Sequence, residues 1–127
     1  MGLEWDPWRR VAERDRALAA YALDGGFRAS AVLHACQAAE EALKAEWIRT
    51  TLSEPPRSHD IISLAESLNA PEDVLDSCRR LRPHYTTSRY PDAALGDPEK
   101  NYSEGIALAL IADADRILQW CSPKLPK

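Results

Sequence analysis

The stretch from Arg28 to Leu52 limits what this chain can fold into more than any other. It has no proline or glycine and is rich in alanine, glutamate, leucine and lysine. That composition predicts one long helix, roughly 37 Å in length at 1.5 Å per residue. Small side chains recur along it at helical spacing and would let neighbouring helices approach closely: Ala31, Ala35, Ala38, Ala42 and Ala45. We therefore expect a central helix around which the rest of the chain packs.

Polar residues interrupt the middle of this predicted helix, which is where helical bundles build their sites. They are Gln37, Glu40, Glu41 and Lys44. Glu40 and Lys44 are four residues apart, which predicts an ion pair within the helix. Two interpretations stay open for the group: a polar network that specifies a dimer, or the wall of a pocket.

The remaining helices are predicted from apolar spacing and from breaks. We expect helices over Trp8–Leu23, Ile61–Leu68, Pro71 to about Arg82, and Tyr102–Trp120. Asp6, followed by Pro7, is predicted to cap the first of these helices. Ser58 or Asp60 is predicted to cap the helix that begins at Ile61, and Asn101 or Ser103 the last helix.

The segments between these helices also carry signals. Gly25 and Gly26 predict a tight reversal between antiparallel helices, and Pro83 predicts a kink or an end. Residues 84–101 should form a loop with short ordered pieces. Asp15 falls on an apolar stripe, so it needs an ion-pair partner or serves as a pocket acid.

These elements predict an all-α fold, an up-and-down four-helix bundle with an additional short helix, since no segment alternates like a strand. With 127 residues, we expect one domain over residues 1–127, with a core from about 8 to 120 and a frayed tail over 121–127.

Charge and cysteine content exclude several classes. The net charge of −4 argues against a general basic face for duplex nucleic acid, although Arg79, Arg80 and Arg82 form a local basic cluster. The three cysteines are odd in number and far apart, so we expect buried free thiols and neither disulfides nor zinc. No signal region or membrane-spanning run is present. We expect a cytoplasmic prokaryotic protein with no metal and no cofactor.

Four segments in order carry a resemblance to a known family. They are AVLHACQAAEEALKAEW, SHDIISLAESL, HYTTSRYPD and a last helix ending in ILQW. Together, from about Trp8 to Trp120, they resemble the HEPN domain, in the branch that contains Arg-Tyr-Pro-Asp. The resemblance implies a four- or five-helix bundle that forms homodimers. It also implies a minimal nucleotidyltransferase partner in a pair like a toxin–antitoxin system, while other family members are metal-independent ribonucleases.

The ribonuclease branch carries an arginine followed, after four to six residues, by a histidine. Arg79 with His84 fits that spacing, and so does Arg28 with His34, at about the frequency expected by chance. Pro83 would distort the helix between the first two, and no histidine follows Arg89 within seven residues. The chain therefore resembles the branch without the signature. Arg79 and His84 remain the only catalytic candidates, and whether the chain is an enzyme stays open.

Arg89 is the first candidate for ligand binding, because a guanidinium binds phosphate bidentately. Tyr90 could stack on a base, and Asp92 could orient Arg89. The alternative is that these residues only anchor their loop through an internal salt bridge. The full predicted ligand-binding set is Arg89, Tyr90, Asp92, Lys44, Glu40, Gln37, His59 and Asp60.

His59, Asp60 and His84 each have a structural alternative to ligand binding. Asp60 would cap a helix and His59 would close its loop onto the bundle by a hydrogen bond. His84 could share the pocket of Arg89. We expect Arg89 to lie within reach of the central helix or of a dimer mate, and not in solvent.

Three functions follow from these residues and the resemblance. The first is a nucleotide- or RNA-binding homodimer that acts with a nucleotidyltransferase. The second is a helical protein-interaction module without a ligand, in which four tryptophans and the alanine faces bury an interface. The third is a ribonuclease toxin.

Overall fold

A computed structural model of the chain describes residues 4–121, and within that range it contains helices and no strands. The longer helices are α1 (Asp6–Asp24), α2 (Arg28–Thr51), α4 (Glu72–Leu81) and α7 (Glu104–Trp120). Between them lie α3 (Ile61–Ser67), the single turns α5 (His84–Thr87) and α6 (Pro91–Ala94), and a 3₁₀ turn over Pro98–Asn101. The predicted all-α bundle with an additional short helix is confirmed. The tail predicted to fray lies outside the described residues, apart from Cys121.

Helix α2 is the central element of the bundle, as predicted. It packs against α1 and α7 along its length and also contacts α3 and α5. The alanine stripe carries this packing, because Ala31, Ala35, Ala38 and Ala42 are completely buried and Ala45 is 2% exposed. The helix ends at Thr51, and Leu52 takes a left-handed conformation after it.

The reversal between α1 and α2 follows the predicted glycine pair. Gly26 adopts a φ of 85°, a left-handed value that suits glycine. The Phe27 amide then donates to the Ala22 carbonyl oxygen at 2.8 Å. The prediction that Asp6 caps α1 is wrong: Asp6 is the first helical residue, and Trp5 before it offers no side-chain cap.

The other helix ends are set by residues named in the sequence. The Asp60 carboxylate caps α3 by accepting from the Ile62 amide at 3.0 Å, whereas Ser58 accepts from the Asp60 amide instead. Helix α4 ends at Leu81, just before Pro83. The Ser103 hydroxyl accepts from the Ile106 amide at 3.1 Å and caps α7.

The apolar core is continuous, but α1 contributes less to it than its spacing predicts. Ala12 and Ala19 are completely buried, while Val11 and Leu18 are 37% and 43% exposed. The two alanines face the bundle, and the larger side chains flank them without a covering helix. The three cysteines are buried free thiols, as expected. None of the helices in residues 4–121 combines the length and the hydropathy that crossing a membrane requires.

The cap of α7 gives a test of this fold. Ser103→Ala removes the side-chain acceptor of the Ile106 amide and should lower the free energy of unfolding by about 1 kcal/mol. Urea denaturation followed by circular dichroism measures the change. Asn101→Ala is the control, because the Asn101 side chain donates to the Ala94 carbonyl oxygen at the end of α6 and not to α7. A larger loss for Asn101→Ala than for Ser103→Ala would contradict the assignment.

Candidate functional site

A buried ion pair lies in the middle of α2. The Lys44 ammonium donates to Glu40 Oε2 at 2.9 Å, and the two side chains are only 8% and 10% exposed. The predicted pair is therefore confirmed. Because both charges are removed from water, loss of either partner would destabilise the fold far more than it would in an exposed pair.

The Glu40 carboxylate also accepts from His59 on the loop before α3. His59 Nδ1 lies 2.9 Å from Glu40 Oε2, and the imidazole ring stacks on Tyr85 of α5 with centroids 5.5 Å apart. On the other side, the Lys44 ammonium lies 5.7 Å from the centre of the Trp8 ring. These contacts join α1, α2, α5 and the loop. The hydrogen bond of His59 is the one expected from its structural alternative, and its predicted role in ligand binding stays a prediction.

Two clefts open beside this network. One, of about 170 Å³, is lined by Gln37, Glu40, Glu41 and Tyr85. The other, of about 230 Å³, is lined by Trp8, Lys44 and the loop residues Glu54, Pro55, Pro56 and Arg57. The structure thus brings Gln37, Glu40, Lys44 and His59 together, and Asp60 follows as the cap of α3. Trp8 and Arg57 were not singled out as site residues, because only the fold places them opposite Lys44.

A second polar group lies between α1 and α2. His34 Nδ1 lies 3.0 Å from Asp15 Oδ1, and the Asp15 side chain is 14% exposed. Asp15 therefore has the partner that its place on an apolar stripe requires. Within residues 4–121, no three His, Cys, Asp or Glu side chains are grouped so that they could hold a metal ion.

The surroundings of Glu41 favour its protonated form. Burial is the main cause that raises its pKa to about 9, followed by a hydrogen bond to Asp15 and the charges of Asp15 and Glu40. One carboxyl oxygen, Oε1, is buried without a donor from the described residues. A protonated Glu41 can itself donate to the Asp15 carboxylate, so the two acids can lie side by side. The sequence shows Glu41 as a polar interruption but gives no sign of its partner on another helix.

Arg89 and Tyr90 lie on the surface, away from any internal ion pair. The Arg89 guanidinium is 5.5 Å from the centre of the Tyr90 ring, and both residues are exposed. The turn after α5 directs them outward, since the amides of both residues donate to the Thr86 carbonyl oxygen. The expectation that Arg89 avoids solvent is therefore wrong for the single chain, while contact with a dimer mate stays a prediction. Within residues 4–121, no salt bridge joins Arg89 to Asp92, which lies in the first turn of α6.

The candidate catalytic residues Arg79 and His84 have separate partners. Arg79 donates to Glu72 at 2.8 Å and to Asp76 at 2.7 Å on the exposed face of α4. His84 Nδ1 lies 2.8 Å from the Tyr102 hydroxyl, and burial lowers the pKa of the ring. In the described chain no hydrogen bond joins Arg79 to His84. The other pair that fits the spacing is also separated, because Arg28 binds Glu99 and His34 binds Asp15.

The raised pKa of Glu41 predicts how stability depends on pH. Between pH 4.5, its ordinary pKa, and about 9, the native state keeps a proton that the unfolded chain has lost, so stability falls as pH rises. Glu41→Gln should remove this dependence. Its melting temperature should exceed that of the wild type at about pH 8, and the difference should shrink towards about pH 4.5.

Thermal melts over this pH range, followed by circular dichroism, measure the effect. The matched control is Glu66→Gln, at an exposed glutamate on α3. Parallel pH profiles for the wild type and Glu41→Gln would show that Glu41 does not hold a proton.

Comparison with known proteins agrees with this architecture. The HEPN domain model matches residues 5–124. An archaeal HEPN homologue of known structure is 36% identical over 94% of this chain and 95% of its own, with a TM-score of 0.81. A protein from Thermus thermophilus is 29% identical over 92% of this chain and 94% of its own, with a TM-score of 0.84.

A HEPN domain protein from Thermotoga maritima is 25% identical over 90% of this chain and 92% of its own, with a TM-score of 0.70. No curated protein matches the sequence significantly. The family match covers nearly the whole chain and agrees with the helical architecture described above. The chain therefore belongs to the HEPN domain family.

Proposed function

We propose that the protein is a nucleotide- or RNA-binding homodimer that acts in the prokaryotic cytoplasm with a minimal nucleotidyltransferase, in a pair like a toxin–antitoxin system. One observation carries the ligand-binding part. The exposed Arg89 guanidinium lies over the Tyr90 ring and has no ion-pair partner among the described residues. A structural arginine that anchors its loop would have such a partner.

The chemistry of this pair suits a nucleotide. The guanidinium offers paired N–H donors to a phosphate group, and the exposed ring of Tyr90 offers a face on which a base can stack. Asp92 would orient the arginine once a ligand is bound. The pair follows α5, whose Tyr85 lines the cleft beside Gln37 and Glu40.

The residues around that cleft would contribute shape and hydrogen bonds to the base. Glu40 and Lys44 neutralise each other, so they supply little net charge to a ligand. Gln37 has an amide that can both donate and accept. His59 extends the aromatic surface of Tyr85, and Asp60 holds the start of α3 beneath it.

The exposed apolar edge of α1 supports the homodimer. Val11, Leu18 and Tyr21 are 37%, 43% and 81% exposed, and an apolar strip of this kind is typical of an interaction surface. The nucleotidyltransferase partner rests on the family resemblance alone.

The same edge favours a second candidate function, an interaction module that binds no ligand. The alanine faces would not serve it, because Ala35, Ala38 and Ala42 are already buried inside the chain. The half-buried tryptophans Trp5, Trp8, Trp47 and Trp120 would remain available. Stable association with a partner protein and no binding of nucleotide or RNA would favour this function.

A ribonuclease ranks third. Arg79 and His84 would have to exchange their present partners, Glu72, Asp76 and Tyr102, for a substrate. RNA cleavage by the purified protein that is lost in His84→Ala would restore this function.

Arg89→Ala tests the proposed site directly. We expect the variant to bind a fluorescein-labelled oligoribonucleotide or ATP about tenfold more weakly than the wild type, because a charge-assisted contact to phosphate is lost. Fluorescence anisotropy measures binding of the oligoribonucleotide, and calorimetry measures binding of ATP. Folding should be unaffected, since Arg89 is exposed.

Arg10→Ala is the matched control, at an exposed arginine on α1 with the same change in charge. If both variants bind as tightly as the wild type, Arg89 is not part of the site. If the wild type binds neither ligand, the interaction module replaces the nucleotide-binding function.

A further inference from the structure

A second arginine cluster lies where α4 packs against α7, and it shares no residue with the site above. Arg80 on α4 donates to Asp113 through Nε at 3.0 Å and through Nη2 at 2.8 Å. Arg116 on α7 donates through Nη1 to the same Asp113 oxygen at 3.1 Å. Two guanidinium groups from different helices therefore converge on one carboxylate.

The carboxylate and its hydroxyl neighbour are buried, while the arginine heads are not. Asp113 is 7% exposed at its side chain and Ser77 is completely buried. Ser77 donates to Asp113 at 2.9 Å and accepts from Arg116 at 2.8 Å. The side chains of Arg80 and Arg116 are 54% and 44% exposed. The buried pair fixes the positions of the two cations at the surface.

The cluster has more positive charge than Asp113 requires. A single guanidinium neutralises one carboxylate, and Arg80 already binds Asp113 through two nitrogens. The second cation, Arg116, is therefore in excess. The salt bridges of the other acids nearby go to other arginines: Glu72 and Asp76 bind Arg79, and Asp115 binds Arg16. The charge of Asp76 also acts on Arg80, but Asp76 forms no salt bridge with it.

Several donors of the two arginines are unused within residues 4–121. Arg80 makes no hydrogen bond through Nη1, and Arg116 makes none through Nε or Nη2. The Nε–Nη2 edge is one that binds an oxyanion bidentately. Because both arginines bind the same Asp113 oxygen, the bound nitrogens lie within about 6 Å of each other. The two guanidinium heads are therefore neighbours on the surface.

We propose that Arg80 and Arg116, held by Asp113 and Ser77, form a phosphate-binding site on the α4–α7 face. A phosphate group fits better than a carboxylate, because it offers more than two oxygens and up to two negative charges to two guanidinium groups. The phosphate belongs either to a mononucleotide or to the backbone of RNA. The other two arginines of the basic cluster in the sequence do not take part. Arg79 binds Glu72 and Asp76, and Arg82 binds Asp60.

Arginine side-chain NMR tests the site. Inorganic phosphate, AMP and a short oligoribonucleotide are titrated separately into the ¹⁵N-labelled protein, and the Nε–Hε signals of Arg80 and Arg116 are followed. We expect saturable shifts of both signals and no shift of Arg10 on the exposed surface of α1. Saturation by phosphate and AMP identifies a mononucleotide site, whereas saturation by the oligoribonucleotide at much lower concentration identifies the RNA backbone.

Arg116→Gln is the informative variant, because Asp113 keeps Arg80 and Ser77 as partners and the fold should be retained. It should weaken phosphate binding about tenfold, Arg116→Lys should restore it only in part, and Arg10→Gln should leave it unchanged. Binding that persists in Arg116→Gln would overturn the proposal. The absence of saturable shifts with all three ligands would also overturn the proposal. Binding of an acidic peptide in a separate titration would not rescue it. The outcome of the Arg89→Ala experiment does not affect these expectations, so the two sites are tested separately.

Discussion

The Glu40 carboxylate is the constraint on which the middle of this structure depends. It lies on the central helix among completely buried alanines, where an uncompensated charge would be costly. Two donors satisfy it: Lys44 from the next turn of α2, and His59 from the loop before α3. Each donor fixes a further element, because Lys44 lies over Trp8 of α1 and His59 stacks on Tyr85 of α5. Through these contacts, Glu40 connects residues that line the two clefts beside α2.

The neighbouring acids Glu40 and Glu41 on α2 are accommodated in different ways. Glu40 is paired with a cation, whereas burial and the neighbouring Asp15 raise the pKa of Glu41. Polar side chains in the interior of the bundle therefore contact mainly one another. The donors left for a ligand are at the surface, on Arg89 beside Tyr90 and on Arg116 beside Arg80. In the proposals above, recognition therefore takes place mainly at the surface, with Gln37 and Tyr85 contributing from the cleft beside α2.

Local sequence signals predicted the parts of this fold that depend on local physics. The long helix without glycine or proline, the Gly25–Gly26 reversal and the end of α4 before Pro83 all follow from backbone preferences. The apolar stripe of α7 and the cap at Ser103 are likewise visible in the sequence. The spacing of Glu40 and Lys44 was enough to predict their pair.

What the sequence could not provide were partners on other helices. Nothing local indicates that Asp15 meets His34, or that Asp113 receives arginines from two helices. Val11 and Leu18 share the spacing of buried residues but lack a covering element. Arg89 is exposed because one turn directs it outward, and the residues of that turn do not specify its direction.

A double-mutant cycle on Glu40 and Lys44 tests the central role of the buried pair most directly. Glu40→Met leaves the buried Lys44 charge without its carboxylate, and Lys44→Met leaves Glu40 with His59 as its remaining donor. Each change should cost about 3 kcal/mol in urea unfolding. The double variant removes both charges and should cost far less than the two single changes together, with a coupling free energy of at least about 2 kcal/mol. Additive losses, with no coupling between the two positions, would contradict the claim that this pair holds the site together.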